Sequence, residues 1–170
     1  MNEDLRKTSF GVWRFGLAYL HGAVALDEAD PNPWVACNVT HQCFCQSIEM
    51  GFKSFLLAKG WTVENIESLG HSLVESMNAA VDAGFPPLPQ AHVVIVMDHH
   101  YKGSEYRFIV TGECDDVHPT ALSAICEGIL HHAASEIAIA MGDPAKTSTM
   151  RAQLVASVHQ GKTGATHRYP

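Results

Sequence analysis

One segment limits the fold more than any other: residues 41–84, HQCFCQSIEMGFKSFLLAKGWTVENIESLGHSLVESMNAAVDAG. In its first half Phe44, Ile48, Phe52 and Phe55 recur at spacings of four, four and three. That period gathers them on one face of an α-helix, whereas a strand would alternate them between faces. Gln42, Gln46, Glu49 and Lys53 form a separate polar stripe. Glu49 precedes Lys53 by four residues, the favourable order for an ion pair along a helix. Gly60 is the expected left-handed C-terminal cap. Thr62 is placed to cap a short turn through Glu67. A further helix opens near Gly70-His71, carries Leu73, Val74, Met77, Ala80 and Val81, and ends at Gly84. The following Phe85-Pro86-Pro87-Leu88-Pro89 reads as a rigid loop.

The rest of the chain follows the same logic. A first helix is predicted over residues 5–29, ended by Pro31 and Pro33. It carries two apolar stripes, one of Val12, Phe15, Tyr19, Gly22 and Leu26, the other of Trp13, Leu17, Leu20 and Val24. A helix apolar on two faces is buried on two faces. The second helix starts after Pro33, with Asn32 as its cap and proline at the first helical position. Pro119 opens a late helix with Leu122, Ile125, Ile129, Ala133, Ile137 and Met141 at helical spacing, stopped by Gly142 and Pro144. Residues 147–160 form a last short helix and 161–170 a loose tail. Residues 91–111 leave two local readings. Val93-Val94-Ile95-Val96 is β-branched and would pair as a hairpin with 105–111, or residues 91–101 form a helix.

The pattern Ser47-Ile48-Glu49 to Lys53-Ser54-Phe55-Leu56, then Gly70-His71-Ser72-Leu73, and later Tyr106-Arg107-Phe108, resembles the HEPN family. The family shows an "AIE, LK, L" helix, a "GHDL" start to the next helix and an "RY" pair. Here Ser72 replaces the Asp of the second motif. The resemblance spans roughly residues 5–141. It implies an all-α, up-and-down bundle of about five helices, with 91–101 helical and 105–111 an extended connector. It also implies a dimer that binds or cleaves RNA, often paired with a nucleotidyltransferase in a toxin–antitoxin system. The bundle is expected over 1–144, with 145–170 as a C-terminal helix and tail on it.

Candidate chemistry is sparse. Nuclease members of the family carry Arg and, after four to six residues, His near the start of a late helix, where the pair would hold a phosphate and move a ribose 2′-hydroxyl proton. The late region of this chain has no such pair. Arg14 and His21 have that spacing but lie on the first helix; they are the catalytic candidates if the protein is an endoribonuclease. Lys53, His71 and Arg107 are the ligand-binding candidates. Cys37, His41 and Cys45 lie four apart along one helical face and are the residue types that bind zinc, yet a straight helix spreads all three too far apart to converge on one ion. No metal and no cofactor is expected, and a metal-binding helical protein stands as an alternative.

Composition narrows the setting. With 170 residues the chain suits one core that buries about 70% of the unfolded surface. A net charge of −7 argues against broad attraction to phosphate backbones. No apolar run reaches the roughly 18 residues of a membrane span. MNEDLRKTSF lacks a signal-peptide core, so a cytoplasmic protein is expected. Five cysteines in that setting read as free thiols. The function expected is a non-catalytic HEPN-like module, dimeric, binding a nucleotide, RNA or a protein partner. The stripe of Trp13, Leu17, Leu20 and Val24 is the expected dimer face, unless residues 147–160 fold back over it.

Overall fold

The computed structural model describes residues 7–29, 33–103 and 117–163, and their side chains except those of 33–37 and 157–163. Among the described residues there are seven α-helices and no strand: α1 Ser9–Ala29, α2 Pro33–Ala58, α3 Val63–Ser68, α4 Leu73–Asp82, α5 Ala91–Lys102, α6 Pro119–Ala140 and α7 Lys146–Thr163. The architecture is an all-α bundle. Five expected long helices are present as α1, α2, α4, α5 and α6. The capped turn after Thr62 and the C-terminal segment add α3 and α7. No helix among the described residues is long and apolar enough to cross a membrane.

Local signals set the boundaries. Thr62 is the N-cap of α3, its side chain accepting from the Asn65 amide. His118 caps α6, with proline in its first turn. Gly60 follows α2 at φ +91°, a conformation that disfavours a side chain. For residues 91–101 the helix is found, as α5. The partner half of the hairpin reading, 105–111, lies outside the described residues. β-Branched residues lose to context here: Val94, Met97 and Tyr101 recur at helical spacing and all three are buried.

α2 is the central helix and packs against α1, α6, α4, α5 and α3. Its Phe44, Ile48, Phe52 and Phe55 are fully buried, each worth about 1.5–3 kcal/mol of apolar transfer. Phe85, just past α4, meets Phe52 and Phe55 edge-on at 5.4 and 5.0 Å, which anchors the proline loop to the core. Two glycines set helix spacing. A Cβ on Gly51 would stand 2.5 Å from Ile129 Cγ2, and one on Gly16 would stand 3.0 Å from Leu130 Cδ2. α6 therefore approaches α2 and α1 closely at these points. α7 packs on α6 and α1, burying Met150 and Leu154, with Arg151 Nη2 donating to Ser135 Oγ at 2.7 Å.

The expected dimer face on α1 is corrected. Trp13 and Leu20 are fully buried within the chain's own core, and Leu17 and Val24 pack against it. Trp13 Nε1 donates to the Leu130 carbonyl at 2.9 Å. The physical reason is Gly16, on the same face, which lets both α2 and α6 come close to α1, with α2 making the larger contact. The other stripe faces outward, with Phe15 44% and Tyr19 38% exposed.

Candidate functional site

The two motif segments meet around one carboxylate. α2 carries Glu49 and Lys53 one turn apart, and both are buried. Lys53 Nζ donates to Glu49 Oε1 at 2.6 Å. The Tyr101 hydroxyl, from α5, donates to Glu49 Oε2 at 2.5 Å. His71 Nδ1 lies 3.2 Å from the same Oε2. Lys53 Nζ also donates to the Gly70 carbonyl at 2.6 Å, and Gly70 turns that carbonyl inward with a φ of +56°. A buried ion pair repays its desolvation only when its remaining hydrogen-bonding capacity is met. Here Tyr101, His71 and the Gly70 carbonyl meet it. The result joins α2 to the α3–α4 turn and to α5.

His71 is the exposed edge of this cluster, its side chain 60% accessible. With Nδ1–H directed at Glu49, the neutral ring presents its Nε2 lone pair away from the carboxylate. A carboxylate behind an imidazole fixes its tautomer and ring orientation, which leaves the outer nitrogen placed to accept from a ligand. The ring meets Tyr101 edge-on at 6.3 Å.

The start of α4 is built by Ser72 and Asp98. Ser72 is the N-cap and accepts from the Glu75 amide at 3.2 Å. Asp98 Oδ1, on α5, accepts from the Leu73 and Val74 amides at 2.5 and 3.3 Å and from Ser72 Oγ at 3.2 Å. A carboxylate at a helix N-terminus satisfies its free amides and its dipole. The Asp that the family motif carries at position 72 is absent, and a carboxylate reaches the same helix start from α5 instead. Beside this cap an open groove of about 620 Å³ is bordered by Val74, Glu75, Ile95, Asp98, His99 and Lys102. Its volume falls in the range of small-molecule sites, and its charges are of both signs.

The candidate residues do not gather. Arg14 and His21 are exposed on the outer face of α1, two turns and about 10.5 Å of helix rise apart. Lys53 is enclosed and engaged by Glu49 and Gly70, so of the ligand candidates His71 alone is both described and open to solvent. Arg107 and the side chain of Cys37 lie outside the described residues. His41 is buried, with Nε2 3.0 Å from the Val117 carbonyl. Burial, then the neighbouring Cys126, pushes the Cys45 thiol well above its ordinary value. Burial likewise pushes Cys126 up to about 12. Among the described residues no three His, Cys, Asp or Glu side chains are placed to share a metal ion. Asp98 and Tyr101 are the participants that sequence reasoning missed. Their signal was the face Val94, Met97, Asp98, Tyr101 of α5, visible once that segment is read as a helix.

No family model, no curated protein and no solved structure matches the chain.

Proposed function

We propose that this chain is a HEPN-like helical module that pairs with a second copy of itself and binds a nucleotide, RNA or a protein partner, without cutting RNA. One observation carries the reading. Glu49, Lys53 and His71, from the two segments that resemble the family's motifs, converge on one joint between helices, with Lys53 enclosed there. These residues hold the bundle together, and the joint leaves a single ionisable edge, His71, at the surface. The Arg14–His21 alternative is weaker, because the pair lies on α1, whereas the family places its Arg and His near the start of a late helix. The net charge of −7 favours a protein or a small nucleotide over extended RNA. The groove beside Asp98 is of a size to admit a small ligand. A nucleotidyltransferase, in a toxin–antitoxin type pair, is the protein partner that the resemblance suggests.

The test uses purified full-length protein. Labelled RNA incubated with it should stay intact, while calorimetric titration with ATP and GTP, anisotropy with RNA, or co-purification with an adjacently encoded nucleotidyltransferase should detect a ligand. Cleavage of the RNA that disappears in Arg14→Ala or His21→Ala would overturn the reading in favour of an endoribonuclease. Failure to bind all three classes would overturn the binding role.

A further inference from the structure

Charge is unevenly spread along this chain. Residues 1–143 hold all eighteen Asp and Glu and seven of the eleven Lys and Arg, so 144–170 carry four Lys and Arg and no acid. A basic end on an acidic protein points to a segment that meets anions. α7 lies in this end and packs on α6 and α1, helices that the Glu49 joint does not use. Lys146, at its start, stands 3.6 Å from Asp143. The other cation among its described side chains is Arg151.

Arg151 is half-buried between α7 and α6. Its Nη2 donates to Ser135 Oγ at 2.7 Å, and its Nε is buried with no acceptor. Among the described residues no carboxylate pairs with it. Glu136, beside Ser135, is already taken by Lys59 at 2.8 Å, and Glu127 accepts from Ser123 Oγ at 3.0 Å. An arginine drawn out of water normally has its fork met by an anion. Here one hydroxyl meets one of its five N–H groups. His131 stands one turn before Ser135 on the same face of α6. Burial, and then the positive charge of Arg151, hold its imidazole below the ordinary histidine value, and the neutral ring still donates an N–H. A guanidinium, a hydroxyl and an imidazole thus collect at one joint that has no anion of its own.

We propose that Arg151, Ser135 and His131 form a binding site for one phosphate group, carried by a nucleotide or a smaller phosphorylated molecule, at the joint of α6 and α7. The guanidinium supplies the charge and paired N–H donors. Ser135 accepts from Nη2, so its own hydroxyl proton is free to go to the ligand. His131 adds a ring N–H from one turn away. Donors from two helices fit oxygens spread around a tetrahedral phosphate, whereas a planar carboxylate is served by the guanidinium fork alone. The site shares no residue with the region of His71 and Asp98, and it stands whether or not the proposed function holds.

Proton–nitrogen NMR of the full chain, titrated with inorganic phosphate at constant ionic strength in chloride, tests it. The amides of 131–135 and 147–151 and the Arg151 Nε–H resonance should shift and saturate. Arg151→Gln should abolish the saturable amide shifts. Arg151→Lys keeps the charge but not the fork and should weaken binding about tenfold. Ser135→Ala and His131→Gln should each weaken it about threefold or more, and they keep the test open if circular dichroism shows Arg151→Gln to have lost its helices. Lys146→Gln removes the same charge from the same helix and should leave the affinity within about twofold. Acetate should compete at least about tenfold less well than phosphate. AMP tighter than phosphate assigns a nucleotide as the source of the group; AMP no tighter assigns a smaller phosphorylated ligand. Absence of saturation by about 50 mM phosphate overturns the site. Saturable shifts that persist in Arg151→Gln, a loss in Lys146→Gln equal to that in Arg151→Gln, or acetate competing as well as phosphate would each overturn it too.

Discussion

Replacing Glu49 with Gln keeps the side chain's shape and removes its charge. Lys53, only 7% exposed, then holds the Gly70 carbonyl at 2.6 Å but has no carboxylate. Its ammonium cannot regain water without opening the joint between α2 and the α3–α4 turn. Breaking a buried ion pair from one side costs about 3–5 kcal/mol. The surviving carbonyl contact places this case at the lower end, about 3 kcal/mol. With a urea slope of about 2 kcal/mol/M, the midpoint falls by about 1.5 M. Lys53→Met is the reciprocal break, leaving the carboxylate to Tyr101 and His71, and costs a similar amount. The double variant Glu49→Gln/Lys53→Met leaves no buried charge, so its loss should be smaller than the sum by about 1–3 kcal/mol. Urea unfolding followed by circular dichroism measures all four proteins. Protein concentration is held the same for all four, because any self-association would make the midpoint depend on it. Two single losses below about 1 kcal/mol that simply add in the double would refute the reasoning, since that is how a solvated surface pair behaves.

Other expectations follow from the packing. Iodoacetamide at about pH 8 should alkylate Cys43 before Cys45 and Cys126, because burial raises all three thiols and Cys43 is only half-buried; equal rates in the folded protein, read by peptide mass spectrometry, would contradict this. Gly51→Ala should destabilise by about 1–3 kcal/mol despite alanine's better helix propensity, since its Cβ meets Ile129; an unchanged urea midpoint would show that α2 and α6 are farther apart. His132 lies against Phe85 at 4.6 Å, and burial holds its imidazole below the ordinary histidine value. Its folded pKa is therefore below its unfolded one, and stability is lost as pH falls below about 6.5. His132→Leu should flatten the fall in thermal midpoint between about pH 7 and 5.5; an identical slope in both proteins would remove His132 from the account.

The helices were largely legible because their faces repeat. Phe44, Ile48, Phe52 and Phe55 announce a buried face through spacing alone, and Leu73, Met77, Ile125 and Ile129 were equally readable as core. The Glu49–Lys53 pair was visible as a stripe, but spacing says nothing about what covers a stripe. Tyr101 and the Gly70 carbonyl cover it, from segments 52 and 17 residues away. Asp98 escaped notice for a related reason: its partners are backbone amides of α4, which carry no sequence signal, and its segment looked β-branched. The two stripes of α1 were both seen, and the inward one was chosen wrongly. Hydrophobicity could not rank them. The deciding features were Gly16, which admits α2 and α6, and the Leu130 carbonyl, which receives the Trp13 indole, and both act only once those helices are in place.

The central claim is that Glu49 is the hub through which α2, the α3–α4 turn and α5 hold one another. The proton on the Tyr101 hydroxyl reports on it directly, because the ring is 1% exposed and the hydroxyl is 2.5 Å from Glu49 Oε2. Proton NMR of the folded protein should display a downfield, slowly exchanging hydroxyl resonance that vanishes in Tyr101→Phe, shifts in Glu49→Gln and survives in His71→Ala. Absence of that resonance from the wild type, or its persistence unshifted in Glu49→Gln, would contradict the hub.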